Sequence, residues 1–337
     1  MKDDLGNVVT LRRYPQRIVS LAPSCTEYLF AAGLGDRVVG VTAYCKYPPQ
    51  AQKKPVLGDV VNPNIEKILL AKPDLVLAAY GNPMSALERL RKAGIPVFGF
   101  NPKTLEETLN AILRTGKLGG TERAARAFVA PLRRRLAQVR QRTRTLPATK
   151  RPRVFYCLDK GPPIFTAGGA SLVDECIRLA GGVNVARALT KPLYPTYSVE
   201  VLVKQDPDAL VFAGRQGEEV SREELLKSLR HDSPWRALSA VKRGRVCVIP
   251  VELLGSPTTR VVEGVEQLAR CLHPDLFRAA NSDLFRAASV SERMSEGGHD
   301  AHRILVTRRD RDRRGAGTHG LAGWRIARVR LSRGGER

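Results

Sequence analysis

The 337-residue chain has no long apolar run: none approaches the roughly 18 consecutive residues that a membrane-crossing helix requires, so no membrane span is expected. Its first residues, Met1 to Arg13, are polar and include no apolar core segment, so no secretory signal is read there. Two readings remain open, a cytosolic protein or a start that omits an export segment. Cysteine is sparse and unpatterned: residues 25, 45, 157, 176, 247 and 271 form no Cys-x-x-Cys and no Cys/His grouping, which argues against zinc. Cys176 and Cys271 sit near predicted helix ends in the second half, and these two could pair in an oxidising compartment. Free buried thiols are the alternative.

Histidine is scarce too, and phosphate-binding glycine loops are missing. Gly116-Lys-Leu-Gly-Gly120 lacks the P-loop spacing. His299-x-x-His302 has no third ligand nearby and reads as a solvated pair. Cys25, beside Ser24 and Glu27, is the best nucleophile candidate, but it needs a nearby base to be activated. Of the other histidines, His319 shares the tail with that pair, and neither His231 nor His273 falls in a loop where a ligand is expected. The chain is therefore not expected to be an enzyme: no catalytic residue, metal or cofactor is assigned.

The formal net charge is +23. The Lys and Arg residues of the first 272 positions spread over many predicted helices without aromatic interleaving, so they read as a solvated basic surface and no nucleic-acid partner is expected. Polyanions or anionic lipid headgroups are the other candidates for such a surface. A nucleic-acid binder acting through the Arg-rich tail is the third functional class, and losing DNA retention on truncation at residue 274 would identify it.

What the chain does contain is a repeat. Asn64-Ile-Glu-Lys-Ile-Leu-Leu-Ala-Lys-Pro-Asp matches Ser198-Val-Glu-Val-Leu-Val-Lys-Gln-Asp-Pro-Asp, 134 residues later. Glu66 and Glu200 each precede a Pro-Asp step by seven residues, and short apolar runs follow at 75–79 and 209–213. A polar start, a short helix, a Pro stop and a buried strand make an α/β unit. Arg17–Leu21 and Arg153–Cys157 open the two halves as strands, and the helices after them stop at Gly33 and at Gly181-Gly182. Each half therefore reads β-α-β-α-β. Two similar lobes leave a cleft between them, where ligands prefer to bind.

Residues 1–118 read as an N-terminal α/β lobe after a short hairpin arm at 5–15. Residues 119–150 hold an interdomain helix, with apolar positions Phe128, Leu132, Leu136 and Val139 across 121–146 and a kink or break expected at Pro131. Residues 151–274 form the C-terminal α/β lobe. Residues 275–337 are an Arg-rich tail with Asp-Leu-Phe-Arg-Ala-Ala at both 275–280 and 283–288, and disorder is expected there.

Arg17-Ile-Val-Ser-Leu-Ala-Pro-Ser-Cys-Thr-Glu27, Thr42-Ala-Tyr-Cys-Lys-Tyr-Pro48, the two Glu…Pro-Asp segments and Ser233–Val246 together resemble the cobalamin and iron-chelate substrate-binding proteins of ABC importers, over residues 5–274. The resemblance implies a class III periplasmic-binding-protein fold: two Rossmann-like α/β lobes joined by one long rigid helix. It implies an extracytoplasmic monomer that captures a corrinoid (cobalamin), or alternatively haem or a ferric siderophore, and delivers it to a membrane permease. A corrinoid needs aromatic and apolar walls with a few polar groups. Loops at the carboxyl ends of strands should supply them. The candidates are Pro23, Ser24, Tyr44, Asp59, Val60 and Tyr80 from the first lobe. From the second come Phe165, Tyr194, Glu252, Leu253, Leu254, Gly255 and Ser256. Tyr44 matches the family residue for residue, whereas Leu253 or Leu254, Tyr194 and Val60 stand where the cobalamin binder has aromatics. Glu66 and Glu200 match the acidic residues, one per lobe, that pair with Arg on the paired permease subunits; their bland reading is helix-dipole stabilisation.

Overall fold

Strand and helix alternate through the first lobe, from β1 to β4. In lobe one the order is β1 (Ile18–Ser20), α1 (Pro23–Ala31), β2 (Val38–Gly40), α2 (Ile65–Leu70), β3 (Leu75–Ala79), α3 (Met84–Lys92) and β4 (Val97–Phe100), followed by α4 (Leu105–Gly119). The long helix α5 (Glu122–Thr143) then leads into lobe two. That lobe contains β5 (Arg153–Cys157), β6 (Ile164–Phe165), α6 (Leu172–Leu179), β7 (Val183–Asn184), β8 (Thr196–Tyr197), α7 (Val199–Gln205) and β9 (Ala209–Gly214). It ends with α8 (Arg222–His231), α9 (Ser239–Lys242), β10 (Val246–Pro250), α10 (Val251–Leu254), α11 (Val261–Leu272) and α12 (Pro274–Arg278). The structure, a computed structural model, describes residues 1–158, 161, 163–214 and 221–278. The expected tail disorder at 279–337, the second Asp-Leu-Phe-Arg-Ala-Ala copy and His299, His302 and His319 lie outside the described residues.

The two main sheets have the same topology. Lobe one runs β2-β1-β3-β4 and lobe two β7-β5-β9-β10, every pairing parallel. Parallel strands need crossover connections, and helices on both faces bury them, which is why these strands read as continuous apolar runs rather than alternating ones. The 134-residue repeat maps onto equivalent geometry. Asn64 and Ser198 cap α2 and α7, accepting from Lys67 N and Val201 N. Lys72 and Asp206 end those helices with φ of 46° and 42°, the left-handed turn that directs the chain back into a strand. Asp74 then accepts from the Arg17 amide at 2.8 Å, and Asp208 from the Arg153 amide at 2.8 Å. The repeated Pro-Asp step thus clips the start of β3 or β9 to the start of the neighbouring strand.

α5 does not interrupt at Pro131. The helix runs through it for 22 residues, burying Ala125, Val129, Leu132 and Val139. A single backbone bond missing at the proline is outweighed by that packed face. One apolar core continues from α1 and α4 through α5 to α6 and α11, including Leu29, Leu109, Leu132, Ile177 and Val265. Arg135 on α5 holds the buried Glu266 of α11 in a two-pronged bond at 2.8 and 2.7 Å. The expected hairpin arm at 5–15 is instead a single antiparallel bridge, Lys2 to Val8. Asp3 organises it, accepting from the amides of Leu5, Asn7 and Gly99, so the turn lies earlier than the apolar pattern suggested.

The disulfide is a correction. Cys247 on β10 bonds Cys271 at the end of α11, with Cα atoms 6.2 Å apart, while Cys176 is a buried free thiol in α6. Proximity to a helix end does not say which face a side chain takes, and Cys176 points into the core. With the cysteines separated by 24 in sequence, closing the loop is expected to be worth about 3 kcal/mol. Cys247→Ser should therefore lower the urea midpoint of the oxidised protein to that of the reduced wild type. Coincident midpoints for oxidised and reduced wild type would show that the bond adds nothing.

Candidate functional site

The facing ends of the lobes enclose a cavity of about 360 Å³. Lobe one contributes the start of α1 (Pro23, Ser24, Glu27), the loop after β2 (Tyr44, Lys46, Tyr47), Val60, Tyr80 after β3 and the segment Phe100–Lys103 after β4. Lobe two contributes Ala170–Leu172 at the start of α6, Leu193, Tyr194, Glu252 and the turn Gly255–Thr258 with Arg260. Most of these follow the carboxyl ends of parallel strands, where such sheets place ligands.

The floor is a polar clamp between lobes. Glu27, 1% exposed, accepts from the Thr259 amide at 3.0 Å and from its hydroxyl at 2.5 Å. Its other oxygen takes Arg260 Nη2 at 2.9 Å and Nε at 3.2 Å. Burial drives the Glu27 carboxyl above its ordinary range, and the Arg260 charge and these donors pull it part of the way back. The Arg260 guanidinium also stacks 4.2 Å from the Tyr47 ring centre. Tyr28 adds a second tie across the lobes, donating to the Pro257 carbonyl.

The walls are aromatic. Tyr44 and Tyr80 are 53% and 72% exposed, so two large rings face solvent at the cleft instead of packing inward. Tyr194 is held on the opposite lobe by donating to the Gly255 carbonyl at 3.1 Å. Burial pushes its phenol up to about 12, and that of Tyr47 likewise to about 12. Two polar atoms of the lining, the Tyr47 hydroxyl and Glu252 Oε2, are buried with no hydrogen-bond partner among the described residues.

Of the candidates drawn from the sequence, the structure brings Pro23, Ser24, Tyr44, Val60, Tyr80, Tyr194, Glu252, Gly255 and Ser256 together. Four stand outside the lining. Asp59 turns back on its own loop, accepting from the Val61 and Asn62 amides, and those bonds, led by the Asn62 amide, hold its carboxyl below the usual range. Phe165 lies in β6, paired with Thr196. Leu253 and Leu254 point into the core, since only one face of the short helix α10 meets the cavity. Sequence reasoning missed Tyr47, Arg260 and the Asn101-Pro102-Lys103 segment. The strand-end rule alone would have found the last of these, because it follows β4. Nothing local marks Arg260, whose partner Glu27 is 233 residues away.

Cys25 is fully buried, and that burial pushes its thiol far above the range in which a thiolate forms. Among the described residues no three His, Cys, Asp or Glu side chains gather as a metal site.

The sequence pattern of the periplasmic binding protein family matches residues 18–253. The chain belongs to that family. Its members bind substrates for transport rather than transforming them. An ABC transporter substrate-binding lipoprotein of Bacillus subtilis, itself uncharacterised, is 34% identical over 82% of this chain and 86% of its own length. The periplasmic vitamin B12 binding protein of Vibrio cholerae superposes with a TM-score of 0.65 at 31% identity, covering 77% of this chain and 97% of that one. A periplasmic heme-binding protein of Roseiflexus superposes with a TM-score of 0.67 at 26% identity, over 77% and 99% of the respective chains. The two-lobed α/β architecture expected from the sequence is the one these structures share.

Proposed function

We propose that this chain is the ligand-capturing subunit of an ABC importer and that its ligand is a corrinoid held between the lobes. The observation that carries this is the exposed aromatic pair Tyr44 and Tyr80 facing Tyr194 across a preformed cleft. A flat, largely apolar macrocycle rimmed with amides gains from such walls, and the buried, unpartnered Tyr47 hydroxyl and Glu252 carboxylate oxygen give its amides a donor and an acceptor. A corrinoid brings its own cobalt, so the protein need supply neither a resident metal nor a cofactor. The vitamin B12 binding relative supports the same choice.

Haem is the second reading, favoured by the tyrosine hydroxyls in the cleft, which could reach iron, and by the heme-binding relative. Incubation with cyanocobalamin, haem and a ferric siderophore in turn, then desalting and an absorbance spectrum, separates the readings. Retention of the cobalamin bands at one per chain is expected. Retention of haem alone would replace the corrinoid.

The partner proposed is a permease with two matching subunits. Glu66 and Glu200 are exposed in the first turns of α2 and α7 at equivalent positions of the two lobes. The Ser198 hydroxyl, and after it the residue's own amide, hold the Glu200 carboxyl below its usual range, so it stays charged at neutral pH. Beside these carboxylates lie exposed apolar side chains, Leu70 at 79% and Val201 at 45%. Charge with adjacent apolar surface on each lobe suits docking to a protein face. The chain would act as a monomer outside the cytoplasm, where the Cys247–Cys271 bond persists.

A further inference from the structure

Two cations at the cavity have no role in the reading above. Lys46 follows Tyr44 in the loop after β2, and Lys103 follows β4; both are exposed and both line the cavity from lobe one. Neither ammonium pairs with a carboxylate among the described residues. Lys103 Nζ sits 4.7 Å over the ring of Tyr80, so the charge stands beside one of the two exposed aromatic faces.

The remaining charges of the lining are arranged differently. Arg260 is matched by Glu27. Glu252 lies on lobe two, and its Oε2 is buried with no hydrogen-bond partner among the described residues. An anionic group placed against that wall would meet this carboxylate, whereas on the lobe-one side it would meet two ammonium groups, that of Lys103 beside the Tyr80 ring.

We infer that Lys46 and Lys103 form a subsite for an anionic group on the ligand, and that Glu252 on the facing lobe sets its orientation. The inference rests on the corrinoid reading. There the anionic group is the phosphodiester of the nucleotide arm, directed toward lobe one, while amide N–H groups of the ring edge face Glu252. The cleft would then distinguish a complete corrinoid from one that lacks the arm.

The test is a pair of calorimetric titrations, with cyanocobalamin and with dicyanocobinamide, which has no nucleotide arm and no phosphate. Each is run on wild type, on Lys46→Gln/Lys103→Gln and on a charge-matched control, Lys92→Gln/Lys117→Gln, whose lysines are exposed outside the cavity. The cavity pair should weaken cyanocobalamin by about tenfold and flatten its salt dependence, leaving cobinamide within about twofold. The control should change neither ligand. Equal losses for both ligands, an unchanged cobalamin affinity, or the same loss in the control would each overturn the subsite. If wild type binds neither corrinoid, the ligand reading itself falls, and the subsite with it. Thermal melts matching wild type keep the comparison free of folding effects, since both side chains are exposed.

Discussion

Replacing Arg260 with alanine is expected to lower the unfolding free energy by about 3–5 kcal/mol, the usual effect of stranding one member of a buried ion pair. Glu27 is buried at the floor of the cleft, and two of its four donors come from Arg260. Without the guanidinium the carboxylate keeps only Thr259, and the Tyr47 ring loses its cation. The effect should depend on pH in a fixed direction. Burial already raises the Glu27 carboxyl above its unfolded value, and loss of Arg260 raises it further. Over the interval between those two values the folded state holds a proton that the unfolded state has released, so stability falls as pH rises through it. The deficit of Arg260→Ala should therefore shrink on acidification toward the ordinary carboxylate range and widen toward neutrality. Glu27→Leu/Arg260→Leu, which removes both charges, should recover much of the loss. Urea unfolding at several pH values reads all three effects. A loss below about 1 kcal/mol for Arg260→Ala would mean the pair is solvated and does not hold the lobes.

The second large effect is on transport. Glu66→Ala/Glu200→Ala should reduce ligand uptake through the cognate permease by more than about a hundredfold, and either single change by on the order of tenfold. Each carboxylate is exposed at the start of a short helix, on equivalent positions of two similar lobes. A pair of identical subunits could meet both at once, so the second contact benefits from the first. Affinity for soluble ligand should not change, because neither glutamate lines the cavity. Uptake at the wild-type rate would reduce both residues to helix-start stabilisers. Lost ligand affinity would put them in the wrong place altogether.

The parts of this molecule legible in the sequence are those encoded within about fifteen consecutive residues. The polar helix starts at Asn64 and Ser198 and the Pro stops after them repeat at one spacing because each lobe solves the same local problem, turning a helix back into a parallel strand, whereas the Asp74 and Asp208 clips reach amides 57 and 55 residues away. The cleft loops followed from strand ends, and Tyr44, Tyr80 and Tyr194 do line the cavity. What could not be read depends on distant packing. Cys247 meets Cys271 because β10 and α11 lie together, a contact that helix-end proximity does not encode. Leu253 and Leu254 turn inward because α10 offers only Val251 and Glu252 to the cleft. Arg260 finds Glu27 only after both lobes have formed.

The central claim is that a corrinoid sits between the lobes, and its most direct measurement is a crystal structure grown with cyanocobalamin, with data collected above the cobalt absorption edge. The anomalous map should show one cobalt peak per chain in the cavity bounded by Tyr44, Tyr80 and Tyr194, with the Glu27–Arg260 contacts intact beneath it. A cobalt peak on any other surface, or none in a crystal soaked to saturation, would contradict the account.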